Sequence, residues 1–528
     1  MLVLDASVGI AGITINAPSE HGTKRMCFAV YVSTACHDYS KLTLMRAMRE
    51  MMADTVHVIG AGLAGSECAL QLAKRGISVV LHEERPSTTT PAHKTAECAE
   101  LVCSNSLKSE KRATAAGALK RELKLMGSEL LKIAEDTRVP AGNALAVDRE
   151  LFSKAVTDAI RAQSNIELIR GEVTSLEEYL DNNTYVIVAT GPLTSPSLLK
   201  DLQSRLNEEE ASLLHFYDAA APIVEAASLG FNQIFAQSRY ELAGKGTKDV
   251  EGDYLNCPLN QEQYIALVEE LCAAKTVIKK EFERKELFQA CQPIEEIART
   301  GIDSLRFGPL KPVGLVDPRT GKRPYAALQL RAENEARTAY NLVGFQTNLT
   351  FAEQKRIFSR IPGLEEASFM RYGVMHRNSF FDAPRLFDPT FALRDNPRLR
   401  FAGQIAGTEG YVEAIASGLY TAVNTFAAIQ GLQSFLMPST SLWGALISYA
   451  TNPSTKNYQP MHVNFGLLPP LDPPIRNRRE RYDAYADRAF RRVDSTVASR
   501  DDIFAFSHIT SSINSRKNYS MDELLGDS

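Results

Sequence analysis

The sequence predicts an α/β protein in which a Rossmann-type nucleotide-binding domain is interrupted by an inserted α/β domain. Three observations carry this. A strand, glycine turn, helix and strand occupy residues 54 to 83. A second strand, glycine turn and helix occupy residues 398 to 422. The long stretch between these halves reads as a domain of its own.

The first unit, DTVHVIGAGLAGSECALQLAKRG, opens with the apolar run Val56 to Ile59. Gly60, Gly62 and Gly65 then form G-x-G-x-x-G, and a helical pattern through Cys68, Leu70 and Leu72 ends at Lys74–Arg75–Gly76, a cationic last turn with a glycine stop. The next strand, ISVVLHE, ends in Glu83. Glycines at this spacing let the turn tighten and let backbone N–H groups approach a pyrophosphate at the helix N-terminus. An acid about twenty residues on is placed to bond a ribose hydroxyl.

The choice of dinucleotide follows from the distant segments. YVIVATG, 185 to 191, is a buried strand running into Gly191. RLRFAGQIAGTEGYVEAIASGLYTA, 398 to 422, brings Gly403, Gln404, Gly407 and Gly410 before another helix, where an N-terminus favours the negative charge of a reduced flavin ring. One site assembled from segments so far apart suits FAD better than NAD. No second G-x-G-x-x-G occurs, so a nicotinamide cofactor would bind transiently. The expected organisation is an extension over 1–53, disordered or a misassigned start; FAD-binding halves at 54–205 and 366–494; an insertion over 206–365; and a loose polar tail over 495–528. The FAD domain is expected to be of the glutathione-reductase type.

Composition narrows the function classes. With 528 residues, 44% hydrophobic and 23% charged, the chain reads as an ordinary globular protein. Its formal net charge of −4 means that any nucleic acid must be held by local patches. No stretch reaches the ~18 uninterrupted apolar residues of a membrane span, and a cytoplasmic location without membrane attachment is expected. The eight cysteines, at 27, 36, 68, 98, 103, 257, 272 and 291, show no C-x-x-C pair, which argues against a disulfide scaffold or a metal site.

Two thiols stand apart. Cys103, in AELVCSNSLKSE, lies at the mouth of a Ser/Asn turn, and Cys291, in FQACQPIEEIARTG, precedes Gln292–Pro293 and a helix start. Both remain open between packing and chemistry, whereas Cys68 and Cys272 read as helix packing and Cys98 and Cys257 lean the same way. Arg306, Lys311, Arg319, Lys322 and Arg323 with Tyr325 are suited to phosphate contact and stacking, or form a solvated loop. RNRRERYDAYADRAFRR, 476 to 492, carries seven arginines against three acids. Its Tyr482, Tyr485, Ala486, Ala489 and Phe490 share one helical face.

From about 54 to 494 the chain resembles the folate- and FAD-dependent tRNA uracil-5 methyltransferases, the TrmFO family. The stretches that carry the resemblance include VIGAGLAGSE, PAHKTAECAELVCSNSLKS, GDYLNCPLN, CQPIEEIA, RFGPLKPVGL, RYGVMHRNSF, FAGQIAGTEGYVEAIASG and VNFGLLPPL. The related MnmG proteins, which modify wobble uridines, carry a longer helical C-terminal region. The resemblance implies methylation of a T-loop uridine of tRNA (position 54), with 5,10-methylenetetrahydrofolate as one-carbon donor and NADPH or NADH as reductant; some members act on ribosomal RNA. It implies Cys103 and Cys291 as the catalytic pair, one adding to uracil C6, with Cys103 favoured as that nucleophile. His93, Lys94 and Arg377 become candidates for positioning folate or flavin, while His376 reads equally as structural. Gln292 stands where the family would be expected to have Met or Leu.

Overall fold

A computed structural model describes residues 55–90, 93–180, 184–206, 213–239, 252–277, 292–455 and 458–505, with the backbone alone for 213–219, 375–378 and three strands before residue 32. The chain forms two units, Met1–Asp54 and Thr55–Ser528. In the first, Ile10–Ala17 pairs antiparallel with Val3–Asp5 and with Lys24–Tyr31. Part of the segment expected to be disordered or misassigned therefore has paired backbone. The signal was the alternation Ile13-x-Ile15, β-branched residues at the period of a strand.

In the second unit the nucleotide domain is a six-stranded sheet in the order Ala392–Leu393, Asn396–Phe401, Tyr185–Val188, Thr55–Ile59, Ser78–Glu83 and Ile166–Arg170. All pairs are parallel except the first. Helices cover both faces of such a sheet, so its strands read as apolar runs rather than alternations. Val56, Val58, Val186, Ile187 and Val188 are fully buried accordingly. Strands from both halves of the chain lie side by side, as the two glycine-rich units require.

Between the halves the chain leaves through Leu213–Ala219 and returns through Met375–Phe381, and these two strands pair antiparallel along their whole length. Entry and exit thus run together, the geometry of an insertion. The inserted domain is an antiparallel sheet in the order Phe235–Ala236, Tyr254–Leu259, Ala326–Ala332, Ala339–Leu342, Ile223–Glu225 and Phe369–Arg371. Its strand Ala326–Ala332 is buried at every position. Helix Gln261–Ala273, started by an Asn260 capping box, packs Tyr264, Leu267 and Leu271 into a second core with Leu328, Leu330 and Phe358.

Helix Tyr411–Ile429 is long and apolar enough to cross a bilayer, yet 83% of its apolar window is buried inside the protein. It lies against Leu63–Lys74 so closely that a Cβ on Gly418 would meet the Ala64 carbonyl oxygen at 2.1 Å. The arginine-rich segment forms helix Arg478–Ala498, N-capped by Asn477 and burying Tyr485, Ala486, Ala489 and Phe490. The expected loose tail is corrected at its start. The helix runs on to Ala498, and a further turn, Asp501–Phe504, buries Ile503 and Phe504. Phe504 meets Phe435 edge-on at 5.0 Å between ring centroids, so one apolar pair anchors an otherwise polar segment.

Candidate functional site

The C-terminal ends of the parallel strands form the crevice where such sheets bind ligands, and each predicted glycine has a separate task there. Gly60 has φ +99°, and its N–H donates to the His82 carbonyl at 2.8 Å, turning the chain sharply out of its strand. A Cβ on Gly65 would lie 1.8 Å from the Gly60 oxygen, so only glycine lets the helix sit against the turn. Gly62 is different: nothing lies within 4 Å of a Cβ placed there. It is the N-cap of Leu63–Lys74 and has no side-chain cap, which leaves helix N–H groups facing open space of the kind a pyrophosphate fills.

Glu83 ends the neighbouring strand, buried to 5% exposure. Oε2 accepts from the Ala61 N–H at 3.0 Å, and Oε1 accepts from Arg85 Nε at 2.7 Å and Arg85 N at 3.1 Å. Burial pushes its carboxyl up, but the Arg85 guanidinium and these hydrogen bonds outweigh burial and hold it below the usual range. A carboxylate has about four acceptor positions, so an ionised Glu83 braces the glycine turn with three of them and retains one.

The second glycine loop approaches from the other half of the domain. Gly403, at φ +78°, donates to Ser417 Oγ at 2.6 Å, and a Cβ on it would meet the Ala64 side chain at 2.9 Å. Gln404 donates to the Glu409 carboxylate. Tyr458 donates its hydroxyl to the Gly407 carbonyl and occupies the space a Cβ there would need. Gly410, at φ +114°, is the uncapped N-cap of Tyr411–Ile429. Gly191, at φ +67°, faces open space. Gly62 and Gly191 leave open space at the uncapped N-terminus of Leu63–Lys74, the room a dinucleotide needs, whereas the space over Gly410 is filled by the Glu413 carboxylate and His462. Among the described residues no three His, Cys, Asp or Glu side chains converge as a metal site.

Cys103 is tied to this frame. Its backbone N–H donates to the Tyr411 hydroxyl at 2.7 Å, and the Ser104 N–H donates to the same oxygen at 3.2 Å, a link across 308 residues of sequence. Tyr411 is the first residue of the helix behind Gly410, so the thiol loop is held at the second glycine loop. On the other side, Asn105 is fully buried. It donates to the Val147 and Ala332 carbonyls at 3.0 and 2.9 Å and accepts from Arg331 Nε at 2.7 Å. The loop is therefore pinned to the inserted sheet as well.

Three arginines interact electrostatically with the thiol. Arg149 pairs with Glu333 and donates to the Leu101 carbonyl at 2.5 Å. The charges of Arg149, Arg331 and Arg371 all interact with Cys103. Lys94 stands in the same field: partial burial first, then Arg371 and Arg149, lowers its pKa. Cationic neighbours of this kind favour thiolate chemistry. Cys103 is half-buried, whereas Cys68, Cys98 and Cys257 are buried and burial pushes their thiols up. Cys272 is half-buried against the second core.

Cys291 lies outside the described residues, as do the side chains of His376 and Arg377. His93 Nδ1 is 2.6 Å from Thr90 Oγ1 in the loop before Cys103. In the basic stretch, Arg306 lies 3.8 Å over one face of the Tyr325 ring. Arg319 is paired with Asp317 at 2.7 Å. Sequence reasoning missed Tyr411, Asn105, Arg149, Arg331 and Arg371. Only adjacency offered a signal: Asn105 follows Cys103 by two positions, and Tyr411 directly follows Gly410.

Residues 55–433 match the family model described as glucose inhibited division protein A. Among solved structures, GidA of Aquifex aeolicus superposes with a TM-score of 0.60 at 17% identity, covering 84% of this chain and 73% of that one. Two curated relatives are named methylenetetrahydrofolate–tRNA-(uracil-5-)-methyltransferase TrmFO. The one from Pelotomaculum thermopropionicum is 49% identical, covering 84% of this chain and 98% of its own length. The one from Moorella thermoacetica is 50% identical, covering 83% and 97%. With half of its aligned residues identical over nearly the whole of these relatives, and with both glycine loops and the thiol loop in one frame, the chain belongs to the TrmFO family.

Proposed function

We propose that this chain methylates C5 of a tRNA uridine, using 5,10-methylenetetrahydrofolate as one-carbon donor and FAD as bound cofactor. The finer reading is a T-loop uridine (position 54), NADPH or NADH as reductant, and action in the cytoplasm. The observation that supports it most is the placement of Cys103, latched through Tyr411 to the helix behind the second glycine loop and in electrostatic interaction with three arginines.

Uracil C5 is a weak nucleophile until a thiolate adds at C6. In this reading Cys103 Sγ forms a bond to C6, and the electron pair moves onto the uracil as an enolate. C5 then bonds the carbon of the one-carbon unit as its C=N π electrons return to the carrier nitrogen, and a base removes the C5 proton. Breaking the S–C6 bond restores the ring double bond, and the carbon's remaining bond to the carrier nitrogen breaks as a hydride replaces it. The arginines around Cys103 favour its thiolate before addition. Gly62 and the N–H groups of the following turn receive the pyrophosphate, and the Gly403–Gly410 loop receives the flavin edge. FAD held there and first reduced by NADPH or NADH would supply the two electrons that take the carbon from methylene to methyl. Cys291 is assigned to proton removal or to protecting the covalent intermediate.

The test is methyl transfer by the purified chain with FAD, methylenetetrahydrofolate and NADPH or NADH, offered tRNA transcript and ribosomal RNA fragments separately. Label at uracil C5 of tRNA, lost in Cys103→Ala and Cys291→Ala, is the expected result. Labelling of ribosomal RNA alone would replace the substrate. No labelling of either RNA by a chain whose FAD is bound and reducible would overturn the reading.

A further inference from the structure

The inserted domain carries an exposed aromatic that its fold does not need. Phe307 is 82% exposed and Ile302 50%. The backbone under Phe307 is firmly held: Leu305 is fully buried, Arg306 Nε donates to the Tyr325 carbonyl at 2.9 Å, and Leu310 N donates to the Leu305 carbonyl at 2.8 Å. Phe307 and Ile302 line an open depression of about 590 Å³ with Gly301, Asp303, Ser304 and Gly308.

A single exposed apolar side chain is ordinary on a protein surface, so the surrounding charge decides. Residues 302–323 hold five bases, Arg306, Lys311, Arg319, Lys322 and Arg323, against two acids, Asp303 and Asp317, in a chain whose formal net charge is −4. Lys322 and Arg323 are exposed and Lys311 is half-buried. An exposed aromatic carried on the same segment as exposed cations is the combination that stacks a base and holds phosphates. Along the strand beginning at Ala326, Arg331 at the thiol loop lies five residues further on, roughly 16 Å at the rise of a strand. The segment meets the start of that strand, where the Ala327 N–H donates to the Leu310 carbonyl at 3.1 Å, so one RNA can span both.

We propose that residues 302–323 form a docking surface for tRNA, where Phe307 stacks on an unpaired base while Lys311, Lys322 and Arg323 hold flanking phosphates. This rests on the reading of the chain as a tRNA-modifying enzyme. The test uses the full chain with FAD, as wild type, Phe307→Ala, Phe307→Trp and Lys322→Ala/Arg323→Ala, with tRNA-transcript affinity measured across a salt series and the mass in solution recorded. Phe307→Ala should weaken binding about ten-fold, the scale of one lost stacking contact, and Phe307→Trp should restore it. The double variant should flatten the slope of log K against log salt by about 1 to 2. Melting temperature and FAD content should not change, since none of these side chains is buried.

Unchanged affinity in Phe307→Ala, while the wild type binds and methylates, would overturn the surface and leave the functional reading intact. A change in mass with unchanged RNA affinity would make the face a contact between copies and overturn the RNA assignment. A wild type that binds no tRNA would remove both.

Discussion

Replacing Asn105 by alanine is expected to destabilise the chain by about 3 to 5 kcal/mol. Its amide makes two hydrogen bonds to carbonyls and accepts a third from a guanidinium. Neutral hydrogen bonds contribute about 1 kcal/mol each and one to a charged partner about 1.5 to 3, and the variant leaves buried groups unmatched. Arg331 is 6% exposed and burial already lowers its pKa, so loss of the Asn105 oxygen is felt chiefly there. A double-mutant cycle isolates that part. Asn105→Ala, Arg331→Met and the double variant are unfolded in urea, with FAD present at one concentration throughout. The cycle should give a coupling of about 1.5 to 3 kcal/mol, with the double variant more stable than the sum of the singles predicts. A coupling below about 0.5 kcal/mol, the limit of ordinary additivity, would refute the claim that Asn105 satisfies Arg331 and thereby joins the thiol loop to the inserted sheet.

Three further outcomes follow from the site. Gly62→Ala has room for its methyl in the protein itself, so it should fold normally and lose FAD affinity ten-fold or more. Gly65→Ala collides with the Gly60 oxygen and should lower the melting temperature as well; FAD titration with thermal unfolding separates the two. Arg371→Gln should slow iodoacetamide labelling of Cys103 several-fold at pH 7, with the difference shrinking as alkali ionises the thiol; equal rates, read by peptide mass, would remove Arg371 from the thiol's environment. Glu122 is fully buried and accepts the Leu442 and Trp443 N–H groups at 2.7 and 3.1 Å, and burial pushes its carboxyl up to about 7 against those hydrogen bonds. A raised folded pKa contributes stability below the unfolded value of about 4.3 and loses it as pH rises through about 7. Glu122→Gln should therefore gain on the wild type by roughly 3 kcal/mol between pH 5 and 8, and parallel stability curves would contradict that sign.

What was legible in the sequence is what depends on near neighbours. Gly60, Gly62 and Gly65 act within one turn, and Glu83 meets that turn across a single βαβ crossover, so spacing alone identifies them. Burial of Cys68, Cys98 and Cys257 likewise follows from their apolar surroundings. Tyr411 and the arginines were hidden because their relation to Cys103 exists only after distant segments pair. A tyrosine after Gly410 reads as helix filler until its hydroxyl is seen under the Cys103 amide. Arg331 and Arg371 lie on strands of the inserted sheet, whose antiparallel order no local pattern encodes. The cover of Arg306 over Tyr325 was hidden for a related reason, since the two lie 19 residues apart.

The bond from the Cys103 amide to Tyr411 also has a meaning in time. During synthesis the cysteine emerges early, while the residue that holds its loop emerges 308 positions later, and a contact so distant in sequence forms late in folding. Until then the thiol loop lacks its anchor and the helix behind the second glycine loop is absent. A chain interrupted before residue 411 therefore carries the cysteine without the anchor that holds its loop.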